Sequence, residues 1–177
     1  CASTAEVILA GAKLSNLEEK EAEICDLTTF KMSGKVKIVK PRDILQFEEL
    51  IRYFLESKKD FKIIGGGSNT VIKSDLETPF VLTSGLNNFK FDEKYVVAEN
   101  GVKLSVLLSE AIKRGMSGLE FSIGIPGTIG GALYMNTGAF DGEISKCVES
   151  VEVIDENGRL YELNAEDLDF SYRHSIF

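Results

Sequence analysis

The sequence predicts a fold that mixes α-helices with β-strands, either α/β or α+β, and three observations support this prediction. Short apolar runs typical of strands alternate with two segments whose apolar residues recur every three to four positions. Glycines are concentrated in two clusters, at 65–67 and between 115 and 138. The chain has 177 residues, of which 44% are hydrophobic, so it can bury a sizeable core in one domain or in two small lobes that share a ligand.

The N-terminal half is predicted to carry one long helix among short strands. Residues 17–24 are expected to form a charged, exposed helix, and Val36–Val39 a strand. Asp43 is placed to cap the long helix, whose apolar stripe consists of Ile44, Phe47, Leu50, Ile51, Phe54 and Leu55. Further strands are expected at 61–64, which is apolar and therefore buried, at 80–83 and at 95–98.

The C-terminal half is predicted to contain a second helix and a hairpin. The helix covers about residues 103–114, ends at Gly115, and directs inward Leu104, Leu107, Leu108, Ala111 and Ile112. Two strands around 151–153 and 160 are joined by a tight turn, and Asn164 caps a short helix over 165–168. We divide the chain into an N-terminal helix and lead-in at 1–27 and two lobes at 28–90 and 91–177, with a ligand cleft expected between the lobes.

Charge and cysteine content exclude several classes of partner. The net charge of −8 and the pI of about 4.8 disfavour nonspecific binding to nucleic acid or to an anionic membrane. The longest apolar stretch near the N-terminus, Val7–Ala10, is too short to span a bilayer, so we expect a cytoplasmic chain. Cys1, Cys25 and Cys147 include no Cys-x-x-Cys pair, which indicates neither a disulfide framework nor a metal site.

The first candidate site is Gly65-Gly66-Gly67-Ser68-Asn69-Thr70, at the end of a predicted strand. Glycine lets successive N–H groups converge and lets a phosphate approach closely, and Ser68 and Asn69 add side-chain donors. The segment fails the dinucleotide fingerprint, because Thr70 stands at the third glycine position, and it lacks the Gly-Lys-Ser/Thr ending of a nucleoside triphosphate loop. It therefore predicts an anion-binding loop, and a plain glycine turn is the alternative.

The second candidate site runs from Gly118 to Ala132 and continues from Met135 to Phe140. Ordering so many glycines costs conformational entropy, which is tolerated where the backbone must lie flat against a ligand. A flat ligand is therefore predicted, and a loop packed beneath a sheet is the alternative.

The third candidate site is Phe170-Ser171-Tyr172-Arg173-His174-Ser175. The guanidinium of Arg173 is a permanently charged fork of donors that suits a carboxylate or a developing enolate, although a surface ion pair is the commoner use of arginine. His174, the only histidine, is given no role.

The order of these motifs closely resembles the UDP-N-acetylenolpyruvoylglucosamine reductase (MurB) family, the flavoenzymes of bacterial cell-wall synthesis. Thr28–Gly34 also looks like that family's entry motif, although Ser33 stands where a glycine is usual. The resemblance covers about residues 17–177 and implies an α+β, two-lobed FAD-binding domain of the vanillyl-alcohol oxidase (PCMH) type. It implies non-covalent FAD, with NADPH as the hydride donor, and the reduction of UDP-N-acetylglucosamine enolpyruvate to UDP-N-acetylmuramate for peptidoglycan synthesis.

The resemblance also assigns residues. Arg173 is implied to be catalytic, stabilising negative charge on the enolpyruvyl carboxylate, and Tyr172 to contact substrate or flavin. The implied cofactor-binding residues are Gly65, Gly66, Gly67, Ser68, Asn69, Thr70, Gly124, Ile125, Pro126, Gly127, Thr128, Gly130, Gly131, Ala132, Asn136, Gly138 and Ala139.

The sequence departs from the family in what it lacks. The family's proton-donor serine and late glutamate match no position here, and Ser175 beside the arginine is not that donor. We therefore expect the flavin-binding part of such a reductase, without the substrate domain and inactive or slow on its own. Two alternatives stay open: another flavin oxidase or dehydrogenase of the same fold, and a non-catalytic flavin-binding module.

Overall fold

The computed structural model describes residues 17–73 and 76–177. The sequence-based expectations for Cys1 and Val7–Ala10 lie outside the described residues. The chain divides into two compact units, which are described separately. Unit 1 comprises the described residues up to Leu86 together with Glu156–Gly158, and unit 2 comprises Asn87–Asp155 and Arg159–Phe177.

Unit 1 is built on a four-stranded sheet. Its strands are β1 (Lys20–Glu23), β2 (Lys35–Val39), β3 (Lys62–Ile64) and β4 (Phe80–Leu82), in the order β1-β2-β4-β3. β1 pairs antiparallel with β2, and β4 pairs parallel with both β2 and β3. The core beside the sheet contains the buried residues Ile24, Val36, Ile64, Ile72 and Phe80. The parallel pairs place the carboxyl ends of β2, β3 and β4 at one edge, from which the first glycine loop leaves β3.

The α-helices in the described part of unit 1 are a short α1 (Ile24–Leu27) and a long α2 (Ile44–Glu56). The Asp43 carboxylate accepts a hydrogen bond from Gln46 N at 2.8 Å, so the predicted cap of α2 is confirmed. Of the predicted stripe, Phe47, Leu50, Ile51 and Phe54 are buried, Leu55 is half-buried and Ile44 is 39% exposed.

Two expectations for unit 1 are wrong. Residues 20–23 form a strand and not part of a charged helix, because pairing with β2 satisfies their backbone and outweighs the helix propensity of glutamate and lysine. The strand at 61–64 is only partly buried, because β3 is the edge strand of the sheet and leaves Ile63 52% exposed.

Unit 2 consists of three two-stranded hairpins and two helices. The hairpins pair β5 (Phe89–Phe91) with β6 (Val96–Ala98), β7 (Gly138–Ala139) with β8 (Gly142–Glu143), and β9 (Ser150–Ile154) with β10 (Leu160–Asn164), all antiparallel. The helices are α3 (Leu104–Lys113) and α4 (Ile129–Tyr134). The core cluster of buried residues consists of Val102, Leu104, Leu107, Phe121, Ile129, Ala132 and Ile144.

The expected second helix and C-terminal hairpin of unit 2 are confirmed, with corrections at their edges. Ile112 is 59% exposed, so the buried stripe of α3 is narrower than predicted. The helix after β10 is a single 3₁₀ turn at Ala165–Asp167, and the Asn164 side chain makes no capping bond. Within the described part of the chain, no helix is both long and apolar enough to cross a bilayer.

Candidate functional site

The first glycine motif of unit 1 forms an open loop after β3. Gly66 and Asn69 are exposed, and no helix follows them directly. The apolar side chains of Ile63 and Val71, at either side of the loop, are 52% and 64% exposed. The loop therefore presents backbone and small polar groups between two accessible apolar side chains, a combination that suits a ligand with both polar and apolar parts.

Gly67 differs from the other residues of this loop because it is buried. Its φ is +64°, and a Cβ placed there would lie 1.8 Å from the carbonyl oxygen of Leu27. Its own carbonyl accepts a hydrogen bond from Thr29 N at 3.2 Å. Gly67 thus joins the loop to the start of the Thr28–Gly34 motif, and its lack of a side chain is required by the packing of unit 1.

The second glycine motif, in unit 2, contains a turn at Gly124. Its φ is +79°, and a Cβ built there would meet no atom within 4 Å. Further along, Thr128 caps α4, since its side chain accepts a hydrogen bond from Gly131 N at 3.4 Å. The space on the side of Gly124 where a side chain would lie is therefore open. The motif then continues into the short helix α4, which the sequence analysis did not predict.

The turn after β6 and the start of α3 hold this glycine motif in place. Leu104 N donates to Gly127 O at 3.1 Å, and Ile129 N donates to Val102 O at 2.8 Å. Gly130 N donates to Asn100 O at 2.8 Å. A Cβ at Gly130 would lie 2.9 Å from the Cβ of Asn100, so this close approach requires glycine. The motif is thereby fixed by main-chain bonds along its length.

A tight hairpin turn connects β7 with β8. Its two turn residues are Phe140 and Asp141, with φ of 51° and 62°. Two successive left-handed residues give the turn the twist that a two-residue hairpin requires. The turn leaves Phe140 86% exposed, which is a large apolar surface beside the predicted site residues Gly138 and Ala139.

The Phe170–Ser175 motif forms a second tight turn in unit 2. Ser171 and His174 exchange two main-chain hydrogen bonds of 3.1 Å, so Tyr172 and Arg173 stand at the tip. Arg173 is exposed and has a φ of 56°, and its guanidinium lies 5.6 Å from the ring centre of Tyr172. Tyr172 is 88% exposed.

Three side-chain bonds bring the second and third motifs together. Asn136 Nδ2 donates to Ser171 O at 2.9 Å, and Ser175 Oγ donates to Tyr134 O at 2.9 Å. Arg173 Nη2 donates to Gly138 O at 2.9 Å. This hydrogen bond uses one of the five N–H groups of the Arg173 guanidinium. The structure thus brings Tyr172 and Arg173 next to the β7–β8 hairpin.

The predicted cofactor residue Asn136 is committed to internal bonds. It is 2% exposed, and its Oδ1 accepts from Ser145 N at 3.3 Å while its Nδ2 binds Ser171 O. Asn136 therefore ties the C-terminal turn to the segment after β8, and its side chain positions the site.

The electrostatics of this region favour an ionised Glu143. The Ser145 hydroxyl donates to Glu143 Oε1 at 2.6 Å, and this bond is the main reason that the pKa of Glu143 is lowered. Hydrogen bonding to Asn136 and the charges of Lys146 and Arg173 lower the pKa further, against a partial desolvation. The ionised carboxylate of Glu143 therefore lies in the same unit as the Arg173 guanidinium. The N–H groups of that guanidinium that do not bind Gly138 O stay available as donors.

At the start of the second motif, the thiol of Cys147 donates to Gly118 O at 2.9 Å. Burial, together with the Glu120 charge, raises the pKa of this thiol. Among the residues that the structure describes, no group of three or more His, Cys, Asp or Glu is arranged to hold a metal ion.

Sequence reasoning missed one residue of this region, Asn100. Its Oδ1 is buried and has no hydrogen-bond partner within 17–73 and 76–177. The sequence around it, Glu99-Asn100-Gly101, carries no recognisable motif, so only its packing against Gly130 reveals it.

Comparison with known proteins identifies the family. Residues 37–164 match the model of the FAD binding domain family. The chain belongs to this family. The predicted FAD-binding fold is confirmed, and so is the resemblance on which it rested, because curated relatives carry the name expected.

The UDP-N-acetylenolpyruvoylglucosamine reductase of Caldicellulosiruptor saccharolyticus is 40% identical over 158 residues, which cover 88% of this chain and 51% of that relative. A solved structure of the reductase from Thermus caldophilus has a TM-score of 0.74 at 30% identity, covering 91% of this chain and 57% of that chain. The chain thus spans about half the length of the curated relatives it matches.

A cholesterol oxidase from B. sterolicum shares the fold alone. Its TM-score is 0.66 at 15% identity, and the match covers 86% of this chain and 33% of that chain. The mixed architecture is therefore shared by proteins that are named for different activities, and the fold does not select among those activities.

The residues of unit 2 fit a flavin nucleotide on two observations. The space above Gly124 is open, so a ligand can lie against the backbone there. The buried Oδ1 of Asn100 has no partner among the described residues, and a ligand donor would satisfy it.

Proposed function

We propose that this chain binds FAD non-covalently and belongs to an NADPH-dependent UDP-N-acetylmuramate dehydrogenase. The reaction reduces UDP-N-acetylglucosamine enolpyruvate to UDP-N-acetylmuramate, a precursor of peptidoglycan. The observation that carries the proposal is the 40% identity, over 88% of the chain, to a relative named UDP-N-acetylenolpyruvoylglucosamine reductase. We infer a cytoplasmic protein without nucleic-acid or membrane partners, since its net charge is −8 and its proposed substrates are nucleotides.

The FAD contacts are proposed for the two glycine motifs. The exposed loop of unit 1 supplies converging N–H groups to the diphosphate through Gly65, Gly66, Ser68, Asn69 and Thr70, while Gly67 keeps the loop in place. In unit 2 the backbone from Gly124 to Gly131, with Ile125, Pro126, Gly127, Thr128 and Gly130, lies against the cofactor, followed by Ala132, Gly138 and Ala139. When bound, FAD supplies the hydride relay between NADPH and the substrate.

Arg173 is proposed to hold the enolpyruvyl carboxylate. Its guanidinium is exposed, and the bond to Gly138 O uses one donor and fixes the direction of the others. A rigid, permanently charged fork binds a carboxylate in two-pronged fashion and stabilises the negative charge that develops when the double bond is reduced. Tyr172, which is 88% exposed beside it, provides a flat surface for substrate or flavin.

The alternative of another flavin oxidase or dehydrogenase has the cholesterol oxidase likeness behind it, which shows the fold alone. Only the reductase requires a cation for an enolpyruvyl carboxylate. The effect of replacing Arg173 on the binding of the enolpyruvyl substrate therefore distinguishes the reductase from another flavin oxidase or dehydrogenase.

The test is to titrate the FAD-loaded chain with UDP-N-acetylglucosamine enolpyruvate and to follow the flavin absorbance. We expect a saturable spectral change, and the Arg173→Ala variant should weaken substrate binding at least about tenfold, because a charge-assisted pair is lost. UDP-N-acetylglucosamine, which lacks the carboxylate, should bind parent and variant alike.

The matched control is Arg159→Ala, an exposed arginine of the same unit, which should bind the substrate as the parent does. Equal substrate affinity for Arg173→Ala and the parent would refute the role of Arg173. An unchanged flavin spectrum with the UDP-sugar at any concentration would mean that this chain does not hold the substrate carboxylate, and that result also refutes the role of Arg173.

A further inference from the structure

One buried polar atom of unit 2 has no hydrogen-bond partner among the residues that the structure describes. Asn100 Oδ1 is shielded from solvent, and none of the described residues donates a hydrogen bond to it. A buried acceptor without a partner destabilises the protein that contains it, because its water is lost and nothing replaces it. Such an atom calls for a donor from outside the described residues.

The backbone of Asn100 is held firmly, so the orphaned atom does not result from a loose segment. Its carbonyl accepts a 2.8 Å hydrogen bond from Gly130 N, and a Cβ at Gly130 would come within 2.9 Å of its own Cβ. Two residues further on, Val102 O accepts a 2.8 Å bond from Ile129 N. The main chain and the Cβ of Asn100 are therefore fixed beside the glycine motif.

The neighbouring residue shows that acceptors in this segment otherwise find donors. The carboxylate of Glu99 accepts hydrogen bonds of 2.8 to 3.2 Å from the main-chain and side-chain nitrogens of Asn88. Asn100 Oδ1, one residue later, is the exception.

We propose that Asn100 is a further FAD-binding residue whose Oδ1 accepts a hydrogen bond from a hydroxyl of the cofactor. The inference rests on the proposed function, since it requires that FAD binds at the glycine motif. An amide oxygen is an acceptor only, so it does not bond to a phosphate oxygen, whereas the glycine N–H groups do. The donors that flank the diphosphate are the ribityl hydroxyls on one side and the ribose hydroxyls on the other.

The test combines FAD affinity with the stability of the flavin-free chain. Asn100→Ala removes the acceptor, and Asn100→Leu replaces it with an apolar side chain of similar size. Asn87→Ala, at an exposed asparagine of the same unit, is the matched control. FAD affinity is measured by fluorescence titration, and the flavin-free thermal midpoint by calorimetry.

We expect both Asn100 variants to bind FAD at least about fivefold more weakly than the parent, through the loss of one hydrogen bond. Their flavin-free midpoints should equal or exceed that of the parent, because the unpaired acceptor is gone. A purely structural asparagine would give the opposite result, a lowered midpoint in both variants, and that result overturns the proposal. FAD affinity within twofold of the parent in both variants also overturns it.

Displacement of FAD by ADP and by FMN distinguishes the two sources of the hydroxyl. A loss of affinity for ADP in the variants assigns it to the ribose, and a loss for FMN assigns it to the ribityl chain. If the variants bind ADP as tightly as the parent does, and also bind FMN as tightly as the parent does, the inference is contradicted. If the parent chain itself binds no FAD, the proposed function fails and the inference with it, whereas normal FAD binding by all variants refutes the inference alone.

Discussion

Non-glycine residues with left-handed backbone are concentrated around the third motif and the β7–β8 turn. In unit 2 they are Asn136, Phe140, Asp141, Asp169 and Arg173, with φ between 38° and 62°. Such backbone costs about 1 kcal/mol or more for a residue with a side chain, and it persists where surrounding contacts impose it. At Asn136 and Arg173 those contacts are hydrogen bonds between the second and third motifs, which is where the proposed substrate contacts lie.

Asn136 is expected to be the most sensitive of these residues. Asn136→Ala removes both amide contacts and leaves Ser171 O and Ser145 N without their partner, so the free energy of unfolding should fall by about 3 kcal/mol. Urea denaturation measures the change. Asn164→Ala is the control, because that side chain is exposed and makes no capping bond, and it should change stability by less than about 0.5 kcal/mol. A similar small change in Asn136→Ala would show that the two bonds do not hold the turn.

Glu143 is expected to make the stability of the chain depend on acid pH. Its pKa is lowered from the ordinary 4.5 in the folded state, chiefly by the Ser145 hydroxyl, so its ionised form stabilises the fold above the unfolded value. This contribution is present above about pH 4.5 and is lost as the pH falls through the lower folded pKa. Glu143→Gln should therefore lose stability relative to the parent near neutral pH, and the difference should shrink as the pH falls.

Urea denaturation of both proteins from pH 7 to pH 3 checks this prediction. Glu166→Gln, which removes a carboxylate from an exposed position of the same unit, corrects for the loss of one charge. A parent-to-variant difference that stays constant or grows toward pH 3 would contradict the role of the Glu143–Ser145 bond.

At the scale of single elements, the sequence predicts secondary structure correctly where the backbone hydrogen bonds join residues that are close in the chain. The α2 helix is the clearest case, since its cap and its apolar period are both written within residues 43–55. The strand β1 is the opposite case, because its charged residues favour a helix in isolation and become a strand only by pairing with β2. The helix α4 contains Gly130 and Gly131, which have low helix propensity. It forms where Thr128 caps it and where the main-chain nitrogens of its first two residues bond to Val102 and Asn100.

The capping of α2 gives a prediction for this element. Asp43→Ala removes the acceptor of Gln46 N and should lower the free energy of unfolding by about 1 kcal/mol. Thermal or urea denaturation measures the loss. Asp60→Ala, at an exposed aspartate of unit 1, is the comparison and should be close to neutral. A loss no larger than that of Asp60→Ala would mean that packing of the apolar stripe alone determines where the helix begins.

At the scale of the whole molecule, the motifs predict more of the candidate site than the periodicity does. The order of the glycine motifs and of Tyr172-Arg173 indicates the reductase family, and the match of residues 37–164 to the FAD binding domain family supports the FAD-binding part of that prediction. The internal role of Asn136 and the orphaned amide of Asn100 escape sequence reasoning, because both depend on contacts between segments 30 or more residues apart. The sequence thus indicates which kind of ligand is bound. The structure is needed to tell which residues are placed to contact the ligand and which ones hold the chain in position.

The central claim is that this chain binds FAD, and an FAD titration of the purified chain tests it most directly. The visible absorbance of the protein is recorded after free cofactor is removed. We predict that a flavin spectrum stays with the protein and that binding saturates at one FAD per chain. A chain that folds cooperatively yet retains no flavin would contradict the account.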